Sequence, residues 1–278
     1  MTYSIVARDP ETGELGVAVQ SRAFNTGAVV PWGEPGIGVV ATQSYTEPAY
    51  GPLGLELLRA GKSPDQALAA LVAADDEPQY RQVAILDTEG RVAVHVGEAC
   101  IPAAGFASGE GFSAQANMVA SEAVWESMAE AFKGSDGPLA ERLLAALDAA
   151  EEAGGDWRGR QAAGILVVAA EGKPWEREVD LRVDDHPDPL DELRRLLRLR
   201  RAYRAMREPP GASDEDLQVL HELDRRWAAI FTATAAGELA HARELLEPLL
   251  EAEPRWADFV RTLADRDLLP NARELLEG

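Results

Sequence analysis

A residue that carries both a hydroxyl and a free α-amine holds a nucleophile and its base together, and Thr2 can become such a residue. A small side chain after Met1 permits removal of the methionine. The exposed amine, with a pKa of about 8, can then take the threonine proton directly or through one water. The plainer reading of Thr2 is the first residue of a strand. Asn117 lies where an extended run meets a helical one, so it reads either as a donor toward a developing oxyanion or as an ordinary cap. Gln43 and Ser44 close an apolar strand, where a backbone N–H could complete an oxyanion site or simply meet solvent. Asp156 and Arg158 sit in a loop after a Gly-Gly helix stop and can also form a local ion pair. Arg22 follows a buried strand and can grip a substrate carboxylate or a neighbouring acid.

Other reactive residue types argue against further chemistry. The run Asp184-Asp185-His186-Pro187-Asp188 looks like metal ligands, but neighbours at a strand end alternate faces, and Asp188 before Pro189 reads as a helix cap. No metal is expected. Cys100 has no histidine partner and reads as a packed thiol, while His95, His221 and His241 are isolated. Gly105, Gly109 and Gly111 match neither dinucleotide nor phosphate-loop spacing, so no cofactor is expected.

These residues must be positioned by strands in runs and helices in pairs. Tyr3 to Arg8 and Leu15 to Val19 flank the turn residues Asp9-Pro10-Glu11-Thr12-Gly13 as a hairpin. Gly36 to Thr42 reads as a buried strand, Leu53 to Ala60 as a helix, and Ser63-Pro64 with Gln66 as the capped start of another. A second hairpin pairs Val83–Leu86 with Val92–Val96. Gly105 to Gly111 reads as irregular, and Phe112 to Asn117 as extended. Helices over 121–132 and 138–153, strands over 164–169 and 178–183, and a long helix from Asp188-Pro189 to Met206 follow. This order predicts an α+β fold rather than an alternating parallel sheet. Pro209-Pro210-Gly211-Ala212 breaks the pattern, so domains are expected at 1–208 and 213–278. The second is a small all-α domain: a helix capped by Ser213 with Leu217, Leu220, Trp227 and Ile230 on one stripe, then helices over 241–252 and 256–264. One stretch after Gly237 is like half of a tetratricopeptide unit, but no second copy follows at that period.

With 48 acidic and 27 basic residues the net charge is −21, which repels nucleic acid and anionic lipid, so neither is expected as a partner. One cysteine cannot form an intramolecular disulfide. The N-terminus enters a strand pattern at once, so no signal peptide is expected, no run is long enough to span a membrane, and a cytoplasmic location follows.

Several blocks resemble one family. They are Thr2-Tyr3-Ser4-Ile5-Val6-Ala7-Arg8-Asp9, Gly16-Val17-Ala18-Val19-Gln20-Ser21-Arg22, Ala41-Thr42-Gln43-Ser44, and Gly109 through Met118. Gly155-Asp156-Trp157-Arg158-Gly159-Arg160-Gln161 and Asp180 through Pro189 complete the set. Together they look like the bacterial family called domain of unknown function 1028, grouped with the N-terminal-nucleophile (Ntn) hydrolases, over residues 1 to about 205. The resemblance implies a four-layer αββα sandwich and hydrolysis of a small amide C–N bond through Thr2. Asn117 and Ser44 would support the oxyanion, Asp156 the amine, and Arg22, Gln43 and Arg158 the substrate. It departs from the Ntn pattern at Gln20, which stands where an acid is expected, and no lysine occurs before Lys62. The tail resembles a companion region labelled peptidoglycan-binding. Homo-oligomers are frequent in the fold implied. The competing expectation is a non-catalytic ligand-binding or scaffold protein with the tail as interaction module.

Removing residues 209–278 is expected to leave a cooperatively folding core. Loss of a single urea transition by circular dichroism would contradict that division.

Overall fold

A computed structural model describes residues 2–205, 218–269 and 271–276. The chain divides into two compact units, Met1–Arg194 and Arg195–Gly278. The expected break at 209–212 lies outside the described residues, as do the expected cap Ser213, Leu217 and Met206.

The first unit is mixed α and β. Ten strands, all antiparallel, form two sheets among the described residues. The larger sheet runs β10 (Val179–Val183), β9 (Ala162–Val168), β2 (Leu15–Ser21), β1 (Thr2–Arg8), β8 (Phe112–Asn117), β7 (Gly105–Gly109). The smaller runs β3 (Pro31–Glu34), β4 (Gly38–Ser44), β5 (Arg81–Asp87), β6 (Val92–Val96). The β1–β2 turn forms because Asp9 Oδ1 accepts the Glu11 and Thr12 N–H groups at 2.9 Å each, and Gly13 takes φ 73°.

Strand alternation decides which side chains meet. Val6, Leu15, Val17, Val19, Leu166 and Val168 of the larger sheet pack against Val39, Ala41, Ala84 and Leu86 of the smaller, so the sheets lie face to face. The outer face of the smaller sheet is covered by α1 (Tyr50–Arg59) and α2 (Pro64–Ala74), through Val40, Val83, Ile85, Leu55, Leu58, Leu68 and Leu71. The helix α2 starts in the capping box read from the sequence, with Ser63 Oγ accepting the Gln66 N–H and Gln66 Oε1 accepting the Ser63 N–H. Helices α3 (Ala123–Gly134) and α4 (Leu139–Glu152) pack on the other sheet, where Gly16 leaves room for Leu143 and Leu139. The unit closes with the start of α5 (Pro189–Ala205), whose Leu190 and Leu193 are buried.

Two strands differ from expectation. β3 was not anticipated, because Pro31 and Gly33 obscure its pattern; both are tolerated on an edge strand. Gly105 to Gly109, expected to be irregular, is the edge strand β7, and the missing side chain of Gly105 makes room for Trp125. Strand pairing supplied there what local propensity did not.

The second unit contains α6 (Glu222–Ala235), α7 (Leu239–Ala252), α8 (Trp256–Asp265) and α9 (Ala272–Leu276). Ile230, Leu246, Leu249, Val260 and Leu275 form its core. Trp227, Trp256 and Phe259 pack with ring centroids 5.2–5.5 Å apart. Among the described residues, no helix is long and apolar enough to cross a membrane.

Gly164 of β9 lies against Gly27, and a Cβ there would stand 2.7 Å from the Gly27 Cα. Gly164→Ala is expected to lower stability by about 1–3 kcal/mol. Gly134→Ala, which meets open space, should change it by under about 1 kcal/mol. Urea midpoints of the two variants check the contrast.

Candidate active site

Thr2 opens β1, the strand at the middle of the larger sheet, and pairs with Ser21 of β2 on one side and Asn117 of β8 on the other. Its Oγ1 lies 3.0 Å from Ser21 Oγ in the space between the sheets. Thr2 is 7% exposed. Its carbonyl oxygen accepts from Asn117 Nδ2 and from Gln43 Nε2, both at 3.4 Å, so these two bonds are long and weak.

The stronger bonds of those amides run elsewhere. Gln82 Oε1 accepts from Gln43 Nε2 at 2.7 Å and from Asn117 Nδ2 at 3.0 Å. Gln82 Nε2 donates to the carbonyls of Ala116 and Gly105 at 2.9 and 3.1 Å. Gln115 Nε2 donates to Ser4 Oγ at 2.7 Å. Gln43, Gln82, Gln115, Asn117, Ser4 and Ser21 are all buried. Two acceptors, Gln43 Oε1 and Gln115 Oε1, are buried without a partner. Each such group costs about 1–3 kcal/mol, a destabilisation that an apolar interior would avoid. Asn117 is therefore a buried strand residue. The helix after it begins at Ala123, with Glu122 in the cap position.

Asp156 has a fully buried carboxylate. Its Oδ2 accepts the Arg22 N–H and its Oδ1 the Arg158 N–H, both at 2.9 Å, and the Arg158 guanidinium reaches it at 3.1 Å. A bridge between Asp156 and Val119 ties this loop to the end of β8. The carboxylate approaches Thr2 through Arg22 and Ser21, with no direct hydrogen bond between them. Arg22 itself is exposed, and its guanidinium donates to Gln161 Oε1. Ser44 ends β4 with φ 74° opposite Arg81, and alternation puts it on the other face from Gln43. The site residues read from the sequence thus gather at one end of the two sheets, with Ser44 across the smaller sheet from the rest.

Gln20 occupies the face opposite the Thr2 hydroxyl. With its amide turned to donate, it meets Glu151 and the Tyr3 hydroxyl beneath α4. Tyr3 donates to Glu151, which Arg160 binds at 2.6 Å. Burial, then the Glu151 charge, pushes the Tyr3 phenol well above its ordinary pKa. The residue that faces the Thr2 hydroxyl from β2 is Ser21, one position on.

Ser21, Gln82, Gln115 and Ser4 were missed in the sequence. A signal existed: β8 reads Phe-Ser-Ala-Gln-Ala-Asn, polar at every second position of a wholly buried strand. Other groups are accounted for. Cys100 Sγ donates to the Arg81 carbonyl at 3.3 Å, Asp185 accepts from Gln161, and the Asp188 carboxylate lies 3.3 Å from Arg160. Two clefts, of about 350 and about 470 Å³, lie away from Thr2. The larger holds Asp75, whose carboxyl the Arg81 hydrogen bond lowers to about 2.

The fold and site define an α+β protein in which Thr2 opens a central strand of the larger sheet and turns its hydroxyl toward the smaller one. Residues 2–193 match the model described as "Family of unknown function (DUF1028)", and the chain belongs to that family. A DUF1028 protein from Silicibacter pomeroyi, solved by crystallography, is 35% identical, with a TM-score of 0.65 over 70% of this chain and 87% of that one. Anbu (ancestral beta-subunit) from Yersinia bercovieri is 12% identical, with a TM-score of 0.32 over 76% of this chain and 99% of that one. An Anbu mutant from Hyphomicrobium sp. strain MC1 gives 13% and 0.36, over 73% and 97%. Among curated proteins, none matches.

Gln82→Leu removes the acceptor shared by Gln43 and Asn117. It is expected to cost roughly 2–4 kcal/mol, because two buried donors lose their best partner. Chemical denaturation checks this, and a near-neutral variant would mean that water already serves the network.

Proposed function

We propose that the two sheets and their flanking helix pairs form a four-layer αββα sandwich of the Ntn-hydrolase kind. In it Thr2, freed by loss of Met1, hydrolyses a small amide. The observation that carries this reading is the Thr2 hydroxyl held 3.0 Å from Ser21 in a buried polar site, beside Asn117 and near the Asp156 loop. A buried network with unpartnered acceptors is costly, and such departures from an apolar core gather where a protein does chemistry.

The steps follow from one residue. The α-amine takes the hydroxyl proton, and Thr2 Oγ1 attacks the amide carbonyl. The carbonyl becomes an oxyanion that needs donors near 3 Å. The new ammonium returns its proton to the leaving nitrogen as the C–N bond breaks. Water, activated by the same amine, then cleaves the ester and restores Thr2. Ser21 is a positioning residue that orients the hydroxyl. Asn117 and Gln43 hold the Thr2 carbonyl, and Asn117 can turn a donor toward the oxyanion at the expense of its weak bond. Asp156 and Arg158 fix the loop and set the field at the amine, and Arg22 faces the substrate. The helical unit serves as an interaction module, and the lone cysteine suits a reducing compartment such as the cytoplasm.

One observation favours a non-catalytic binding protein instead: among the described residues, no carboxylate or ammonium contacts the Thr2 hydroxyl. The two readings separate by mass. Intact mass spectrometry is expected to show loss of one methionine, and a threonine-directed electrophile such as a β-lactone should add once, at Thr2. Thr2→Ala should abolish the adduct with an unchanged melting temperature. A chain that retains Met1 and still labels or turns over normally removes the N-terminal nucleophile.

A further inference from the structure

Large apolar side chains stand exposed around the strand ends where Thr2 lies. Phe24 (69% exposed) follows β2 three residues after Ser21, the partner of Thr2. Tyr45 (71%) lies two residues beyond Gln43, whose amide reaches the Thr2 carbonyl. Tyr80 precedes β5, with its ring centroid 6.0 Å from that of Tyr45. Ile101 (54%) accepts the Met118 N–H, next to Asn117. Trp157 (62%) follows Asp156. Single exposed apolar residues are ordinary, but several at the ends of the strands that meet around Thr2 suit a binding surface.

A cation lies at the same strand end, since Arg22 directly follows Ser21, the partner of Thr2. The Arg22 backbone N–H is fixed by Asp156, while its exposed guanidinium donates to the neutral amide of Gln161. Among the described residues it has no carboxylate partner. In a chain of net charge −21 a guanidinium left on an amide stands out. An Arg fork matches a carboxylate in two parallel hydrogen bonds.

We propose that this rim binds amides that carry an aromatic or branched apolar group and a free carboxylate, such as N-acylated apolar amino acids. The apolar group lies against Phe24, Tyr45 and Trp157, and the carboxylate pairs with Arg22. This names the substrate class for the hydrolase reading above and rests on it, although binding is measured apart from turnover.

Calorimetric titration of the full chain and of Thr2→Ala tests it, with three probes: N-acetylphenylalanine, its primary amide and N-acetylglycine. N-acetylphenylalanine is expected to bind at least about tenfold tighter than N-acetylglycine, since the buried ring is worth 1.4 kcal/mol or more. It should also exceed its amide by about tenfold. Arg22→Gln should erase the difference between acid and amide. Phe24→Ser and Trp157→Ser should each weaken both phenyl probes several-fold while N-acetylglycine is unaffected, with thermal melts confirming that the variants are folded. Equal binding of the three probes, or none at millimolar concentration, overturns the proposal. So does a dimer by sedimentation that Phe24→Ser or Trp157→Ser converts to monomer, because the rim would then be covered by a second copy. Failure here with Thr2 still labelled leaves the hydrolase reading standing. Binding as expected with Thr2 inert sinks that reading and leaves the rim as a ligand site.

Discussion

The side-chain carbonyl of Gln82 receives amide hydrogens from both sheets, and the end of the fold around Thr2 depends on that one acceptor. Gln43 comes from the smaller sheet and Asn117 from the larger, and each also reaches the Thr2 carbonyl. The polar cluster therefore joins the two layers where the apolar packing of Val6, Val17 and Val39 stops. Burying amides is costly unless they are paired, so such a network specifies a single sheet-to-sheet register at this end. It also leaves two acceptors unpartnered, which an apolar filling would not.

The rest of the unit acts as support. α4 presses on the face of the larger sheet away from Thr2, with Tyr3, Gln20 and Glu151 making a second polar contact there. Thr2 and Tyr3 are consecutive yet serve opposite faces of the same strand. The Asp156 loop docks beside this end through the Arg22 and Arg158 backbone, so the acid organises chain rather than touching the Thr2 hydroxyl. Thr2 is positioned by backbone register, and the side chains around it hold that register.

Much of the frame was legible. The first hairpin, the capping box at Ser63, the hairpin around Asp87 and the helix pairs all rest on local chemistry: turn residues, caps and periodic apolar stripes. The edge strands β3 and β7 were not, because glycine and proline weaken the local signal and pairing with a neighbour makes up for it. Of the site, Thr2, Asn117, Gln43 and Asp156 were readable as residue types of interest. Ser21 and Gln82 were not, since neither is reactive and each matters only through what it faces.

The sequence alone determined the α+β class, the family membership carried by the blocks from Thr2 to Asp188, and a threonine at position 2. Tertiary structure decided which neighbours that threonine has. Local propensity acts over a few residues, whereas Thr2, Ser21, Gln43, Gln82 and Asn117 are brought together by strand order and by the stacking of two sheets. No pattern along the chain encodes such contacts; they exist once the sheets have paired and the alternation of each strand has chosen a face.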